Sequence, residues 1–154
     1  MRYILIFAVI ALGFLSCNKD KFATVPEIKF KNISPDTWYS NNLDPTQGPI
    51  LTINLTDAEG DFGFKDNSDT SYVYVKNIKV PPFRIDSLKF PILTAISGSK
   101  IDVNIEVNLR SVLAKTIRPL RPYTDTLQFE VYVKDFAKNK SNVLTVGPVY
   151  YITP

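Results

Sequence analysis

From Glu27 onward, apolar and polar residues alternate with a period of two, the spacing of strands that bury one face. Ile28 and Phe30 alternate with charged residues in Glu27-Ile28-Lys29-Phe30-Lys31, and Ser34-Pro35-Asp36 breaks the run. Leu51, Ile53 and Leu55 alternate with Thr52, Asn54 and Thr56 in a second run. A third, residues 71–80, is rich in aromatic and β-branched residues and is closed by Pro81-Pro82. A weaker one covers residues 85–93 and is interrupted by Pro91. Across residues 100–110 every odd position is aliphatic and every even one polar. A helix would need apolar residues three and four apart, so this segment buries one face only as a strand. Leu127, Phe129, Val131 and Val133 repeat the pattern, and residues 143–152 supply a last strand around Gly147-Pro148.

No stretch of useful length carries helical periodicity with caps. About seven short strands separated by Pro, Asn, Asp and Gly turns predict an all-β chain, a single antiparallel β-sandwich of the immunoglobulin-like type, over residues 26–154. Residues 111–125 are expected to form a long connection between sheets, because Pro119 and Pro122 preclude a continuous strand or helix there.

The N-terminus follows a different pattern. One cation, Arg2, precedes an apolar run that ends in Gly13-Phe14-Leu15-Ser16 before Cys17, the layout of a secretory signal. The run is shorter than the roughly 20 residues a membrane-spanning helix needs, and Asn18-Lys19-Asp20-Lys21 follows at once. Leu15-Ser16-Cys17 resembles a bacterial lipobox, in which the peptidase cuts before the cysteine and the thiol carries a diacylglycerol. The resemblance implies removal of residues 1–16, a lipidated Cys17 with a polar tether over residues 17–25, and a protein anchored in the bacterial cell envelope. Asn18, rather than Asp, after the cysteine implies the outer membrane by the sorting habit of familiar two-membrane bacteria.

Without that signal, 138 residues remain, enough for one domain with a real core. They carry 17 basic against 15 acidic groups, and the cations are scattered singly, so nucleic acid is not an expected partner. Cys17 is the only cysteine, which leaves no disulfide after lipidation, and the chain has no histidine. Ordinary zinc sites and Ser-His-Asp or Cys-His nucleophile systems are therefore excluded. No glycine-rich phosphate loop is present. The expected protein is not an enzyme.

One segment concentrates acids: Thr56-Asp57-Ala58-Glu59-Gly60-Asp61-Phe62-Gly63 places three carboxylates at alternate positions beside a glycine. Hard cations such as calcium take 6–8 oxygen ligands in irregular geometry, and such a grouping suits them. The competing reading is that the acids cap turn amides and face water. Glycosidase chemistry would need two acids held across a cleft, which one loop does not supply.

The acidic segment is similar to the Asp-x-Asp-Gly-Asp-Leu-Gly loop of small bacterial lipoproteins with cadherin-like or immunoglobulin-like domains. Residues 131–142, Val-Tyr-Val-Lys-Asp-Phe-Ala-Lys-Asn-Lys-Ser-Asn, are similar to the Val-x-Asp-x-Ala-x-Asn-x-Ser turn of the same domains. The resemblance implies that the two loops lie at one end of the sandwich, bringing Asp135 or Asn139 near Asp57 and Asp61. Asp57, Glu59, Asp61 and Asp135 are thus the expected calcium ligands.

Trp38-Tyr39 lies in a polar stretch beside Ser40-Asn41-Asn42, and exposed aromatics next to amides are what a sugar-binding face uses. Tyr72, Tyr74, Tyr123, Tyr150 and Tyr151 are further candidates; core or rim packing is the competing reading. The expected role is a non-enzymatic binding or structural module that meets envelope proteins, with a glycan-binding accessory using Trp38 and Tyr39 as the alternative.

Overall fold

The computed structural model describes residues 23–41, 44, 47–65, 69–79, 81, 83–90, 100–113 and 122–154. Alternation is converted into strands wherever one side of it can be buried. β1 (Glu27–Ser34), β3 (Ile50–Asp57) and β8 (Ile101–Asn108) form one sheet in the order β1-β3-β8. A second, five-stranded sheet takes the order β2-β10-β9-β6-β7, from β2 (Thr37–Tyr39), β6 (Tyr72–Asn77), β7 (Ile85–Lys89), β9 (Tyr123–Lys134) and β10 (Leu144–Thr153). β4 (Phe64–Lys65) and β5 (Asp69–Thr70) pair as a separate ribbon, and a four-residue helix, α1, spans Arg110–Leu113.

Both larger sheets feed one hydrophobic core. Leu51, Ile53 and Leu55 meet Ile101, Ile105 and Val107 from the first sheet and Val73, Val75, Leu127, Phe129, Val131 and Val133 from the second. Phe129, Val131 and Val133 are fully buried while Glu130, Tyr132 and Lys134 lie on the opposite face, as a period of two demands. The chain is all-β, as predicted, with almost no helix.

Several particulars differ from the sequence expectation. The two larger sheets hold eight strands rather than seven, the addition being β2. β2 also departs from an all-antiparallel arrangement: it runs parallel to β10, with Thr37 opposite Tyr150 and Tyr39 opposite Ile152. The chain leaves the first sheet after Ser34 and joins the edge of the second, where Asp36 C=O accepts from Tyr150 N–H at 2.7 Å. In β1 the alternation is broken, because a register shift between Phe30 and Asn32 inserts an extra residue. Phe30, paired with Ile53 at the start of this bulge, is 48% exposed, and beyond the bulge Ile33 takes the next inward position. β9 begins at Tyr123, inside the span expected to be a connection; residues 114–121 of that span, with Pro119, lie outside the described residues. Pro91 and the end of the weak strand at 91–93 also fall outside. The signal segment and Cys17 lie outside them as well. Among the described residues, no helix is long and apolar enough to cross a membrane.

Candidate functional site

The loop after β3 and the loop between β9 and β10 meet at one end of the domain. Phe136 N–H donates to the Asp61 carbonyl at 3.0 Å, and Ala137 N–H reaches Asp61 Oδ2 at 3.4 Å. The chain that enters β1 reaches the same end, where Ala58 N–H donates to the Ala23 carbonyl at 3.0 Å. The expectation that the two loops share an end holds.

Each expected ligand behaves differently. Asp57 is completely buried, and its Oδ2 accepts from Gly60 N–H at 2.7 Å and Glu59 N–H at 3.2 Å, closing the turn that Gly60 completes with φ of 66°. Its Oδ1 is buried and accepts no hydrogen bond from the described residues. Asp61 Oδ1 is in the same condition. Burial pushes the Asp61 carboxyl above its ordinary pKa, and the neighbouring Asp57 carboxylate adds to the rise against the opposing pull of the Ala137 amide.

Asp135 is buried but satisfied. Its Oδ1 accepts from Asn139 N–H at 2.7 Å and its Oδ2 from the Asn139 side-chain amide at 2.8 Å. Glu59 is exposed and contributes its main-chain N–H to the turn. Among the described residues no group of three acids converges as a metal cluster, so the four-carboxylate site expected from sequence is not assembled. Asp57 and Asp61 are brought together; Glu59 is turned to solvent and Asp135 is consumed by its own loop.

Two residues at the end of the β9–β10 turn motif, Ser141 and Asn142, were given no role as site residues by the sequence and are structural. Ser141 Oγ accepts from Val133 N–H at 3.0 Å and donates to the Asn142 carbonyl at 2.8 Å. The Asn142 side chain accepts from Ile28 N–H at 2.8 Å and donates to Ile28 C=O at 2.9 Å, so a single amide serves β1 as a one-residue strand. Asn139-Lys140-Ser141-Asn142 thereby ties the loop to itself and one sheet to the other.

The aromatic candidates separate in the same way. Trp38 is 6% exposed and belongs to the core, in line with the core-packing reading of it, so it forms no exposed platform for the alternative glycan role, whereas Tyr39 is 50% exposed. Register puts Tyr39 and Tyr150 on adjacent strands of the outer face of the five-stranded sheet, and Tyr150 is exposed too. Tyr151, by contrast, is buried. Further along that face Tyr74 lies directly opposite Tyr132 and the rings stack, with centroids 4.8 Å apart and planes 8° from parallel. Tyr72 joins at 6.3 Å from Tyr74, Lys134 Nζ sits 5.5 Å from the Tyr74 ring and Lys140 Nζ 4.1 Å from the Tyr132 ring. Burial, and then Tyr74, raises the Tyr132 pKa. Comparison of the chain with protein-family models, curated proteins and solved structures finds no match.

Proposed function

We propose that the protein is a non-enzymatic binding module of the bacterial envelope, an immunoglobulin-like sandwich held by acylated Cys17 that offers the outer face of its five-stranded sheet to an envelope protein. Its strand order supports the fold assignment. The orders β1-β3-β8 and β10-β9-β6-β7, taken in chain order without the β4–β5 ribbon, are similar to the A-B-E and G-F-C-C′ orders of immunoglobulin domains, which supports this reading. The small-lipoprotein resemblance of the two loops and the lipobox agrees with that assignment.

The observation that carries the binding role is the ladder of Tyr72, Tyr74 and Tyr132 with Lys134 and Lys140, an ordered array on the face away from the core. Its rings already cover one another's faces, which suits contact with a protein surface better than the flat stacking of a sugar. A glycan reading is favoured only by the exposed pair Tyr39 and Tyr150. A photo-crosslinking residue placed at position 132 should trap a partner in intact envelopes, while the same probe at Asn104, exposed on the other sheet, should not. Cys17→Ser should release the protein from membranes and abolish the crosslink. Equal crosslinking from both positions, or membrane retention of Cys17→Ser, would refute this assignment.

A further inference from the structure

We infer that Lys89, Lys134 and Lys140 form a cationic row across the outer face of the five-stranded sheet, which takes the carboxylates of an acidic segment of the partner protein. The Tyr74–Tyr132 stack beside the row takes an apolar or aromatic neighbour of those acids. This inference rests on the reading of that face as the binding surface and adds the chemistry of what binds there.

The three lysines are far apart in sequence, and the strand register gathers them. Tyr72 lies opposite Lys89 on one side and Lys134 on the other, and Lys140 bridges to Lys134, so Lys89, Tyr72, Lys134 and Lys140 make one row over four chain segments. At about 4.8 Å between neighbouring strands, that row spans about 14 Å. The next row along the strands is Ser87, Tyr74 and Tyr132, and the one after it is Ile85, Lys76, Glu130 and Thr145.

Charge is spread unevenly over these rows. Among the described residues of β6, β7, β9 and β10, Glu130 is the only acid on the outer face, and Lys76 holds it at 3.8 Å. Asp135 follows Lys134 in the chain but is fully buried and closed by Asn139. The first row therefore sets three like charges side by side, with no described acid within ion-pair distance of them. Like charges on facing strands destabilise a sheet, and an incoming anion relieves that cost.

The tyrosines keep two of those charges over the sheet. Lys134 Nζ lies over the Tyr74 ring and Lys140 Nζ over the Tyr132 ring, at 5.5 and 4.1 Å from the centroids. An ammonium group already placed costs less to order when a carboxylate binds it.

An acidic peptide fits this face better than other polyanions do. Anionic lipid is met by clusters of about 4–8 cations, whereas here three stand beside a neutral aromatic row. An extended chain advances about 3.3 Å per residue, so about five residues cover the row. Two or three acids among them, flanked by an aromatic residue, match both rows.

The test is binding of the full chain in detergent to a labelled random copolymer of glutamate and tyrosine, read by fluorescence anisotropy. The copolymer should bind more tightly than poly-glutamate, and binding should weaken as salt is raised. Lys89→Gln, Lys134→Gln and Lys140→Gln together should weaken it about tenfold, from the usual worth of exposed ion pairs. Lys31→Gln, which removes an exposed charge from the other sheet, should change it by less than about twofold. Arg at the same three positions should retain binding, which separates lost charge from lost structure. No binding, equal losses from the triple Gln variant and Lys31→Gln, or polyphosphate bound as tightly as the copolymer would overturn the inference, the last in favour of phosphate-bearing anions. The crosslink at position 132 keeps this result apart from the underlying reading. A trapped partner that excess copolymer does not displace from opened envelopes refutes the acidic segment alone, whereas copolymer binding with no trapped protein refutes the envelope partner alone.

Discussion

Asn142→Ala tests whether a single side-chain amide holds the edge of β1. In the native protein Ile28 is fully buried, and both of its main-chain groups are bonded to Asn142, at 2.8 Å through the N–H and 2.9 Å through the carbonyl. Truncation leaves a donor and an acceptor of a buried residue without partners. Each such group costs about 1–3 kcal/mol. Asn142 itself is exposed, so water can reach part of the gap, and a total of about 2–4 kcal/mol is expected. Urea unfolding should show a lower midpoint with an unchanged slope, the sign of lost stability rather than a changed unfolded state. Asn142→Asp sharpens the test, because it keeps an acceptor for Ile28 N–H while setting a carboxylate against Ile28 C=O. Its loss should equal or exceed that of the alanine variant. A cost below about 0.5 kcal/mol for Asn142→Ala would refute the claim that this amide substitutes for a strand, since that is the size of an ordinary surface change.

Two further variants probe the core and the second loop. Ile105→Asp should be severely destabilising in chemical denaturation, because Ile105 is 2% exposed opposite Ile53 and a charge there is buried without a partner, whereas Asn104→Asp on the exposed side should be tolerated. Asn139→Asp removes the 2.8 Å donor from Asp135 Oδ2 and adds a like charge, and should lower stability by about 1–3 kcal/mol in the same assay.

The core was legible because burial in a sheet is a property of alternate positions. Leu51, Ile53 and Leu55, like Leu127, Phe129, Val131 and Val133, are fully buried as their spacing required. The elements that escaped are those in which pattern is short or interrupted. β2 has three residues, too few to display a period, so its one inward side chain, Trp38, could be read as core but not as part of a strand. The register shift in β1 changes the parity of the residues after it, so that Ile33 faces inward where the period of two would place Asn32, and Phe30, at the edge of the bulge, is exposed. β9 extends back to Tyr123 with exposed residues at 123, 124 and 126, and only long-range pairing with Ile152 and Thr153 marks it as strand.

The candidate site was legible as a meeting of two loops and illegible in its ligands, for a reason that lies in hydrogen-bond accounting. An aspartate in a turn has two oxygens, and its chemistry depends on how many of them the turn consumes. Asp135 uses both, because Asn139 offers a main-chain and a side-chain N–H. Asp57 spends one oxygen on two main-chain N–H groups, and among the described residues no N–H donates to the other. Counting acids treats Asp57, Glu59, Asp61 and Asp135 as equals, whereas asking what donor stands four residues after each buried aspartate separates a closed turn from an open pair. By that rule the second loop is closed by the amide of Asn139, whereas the first sets a second carboxyl group, Asp61, beside Asp57.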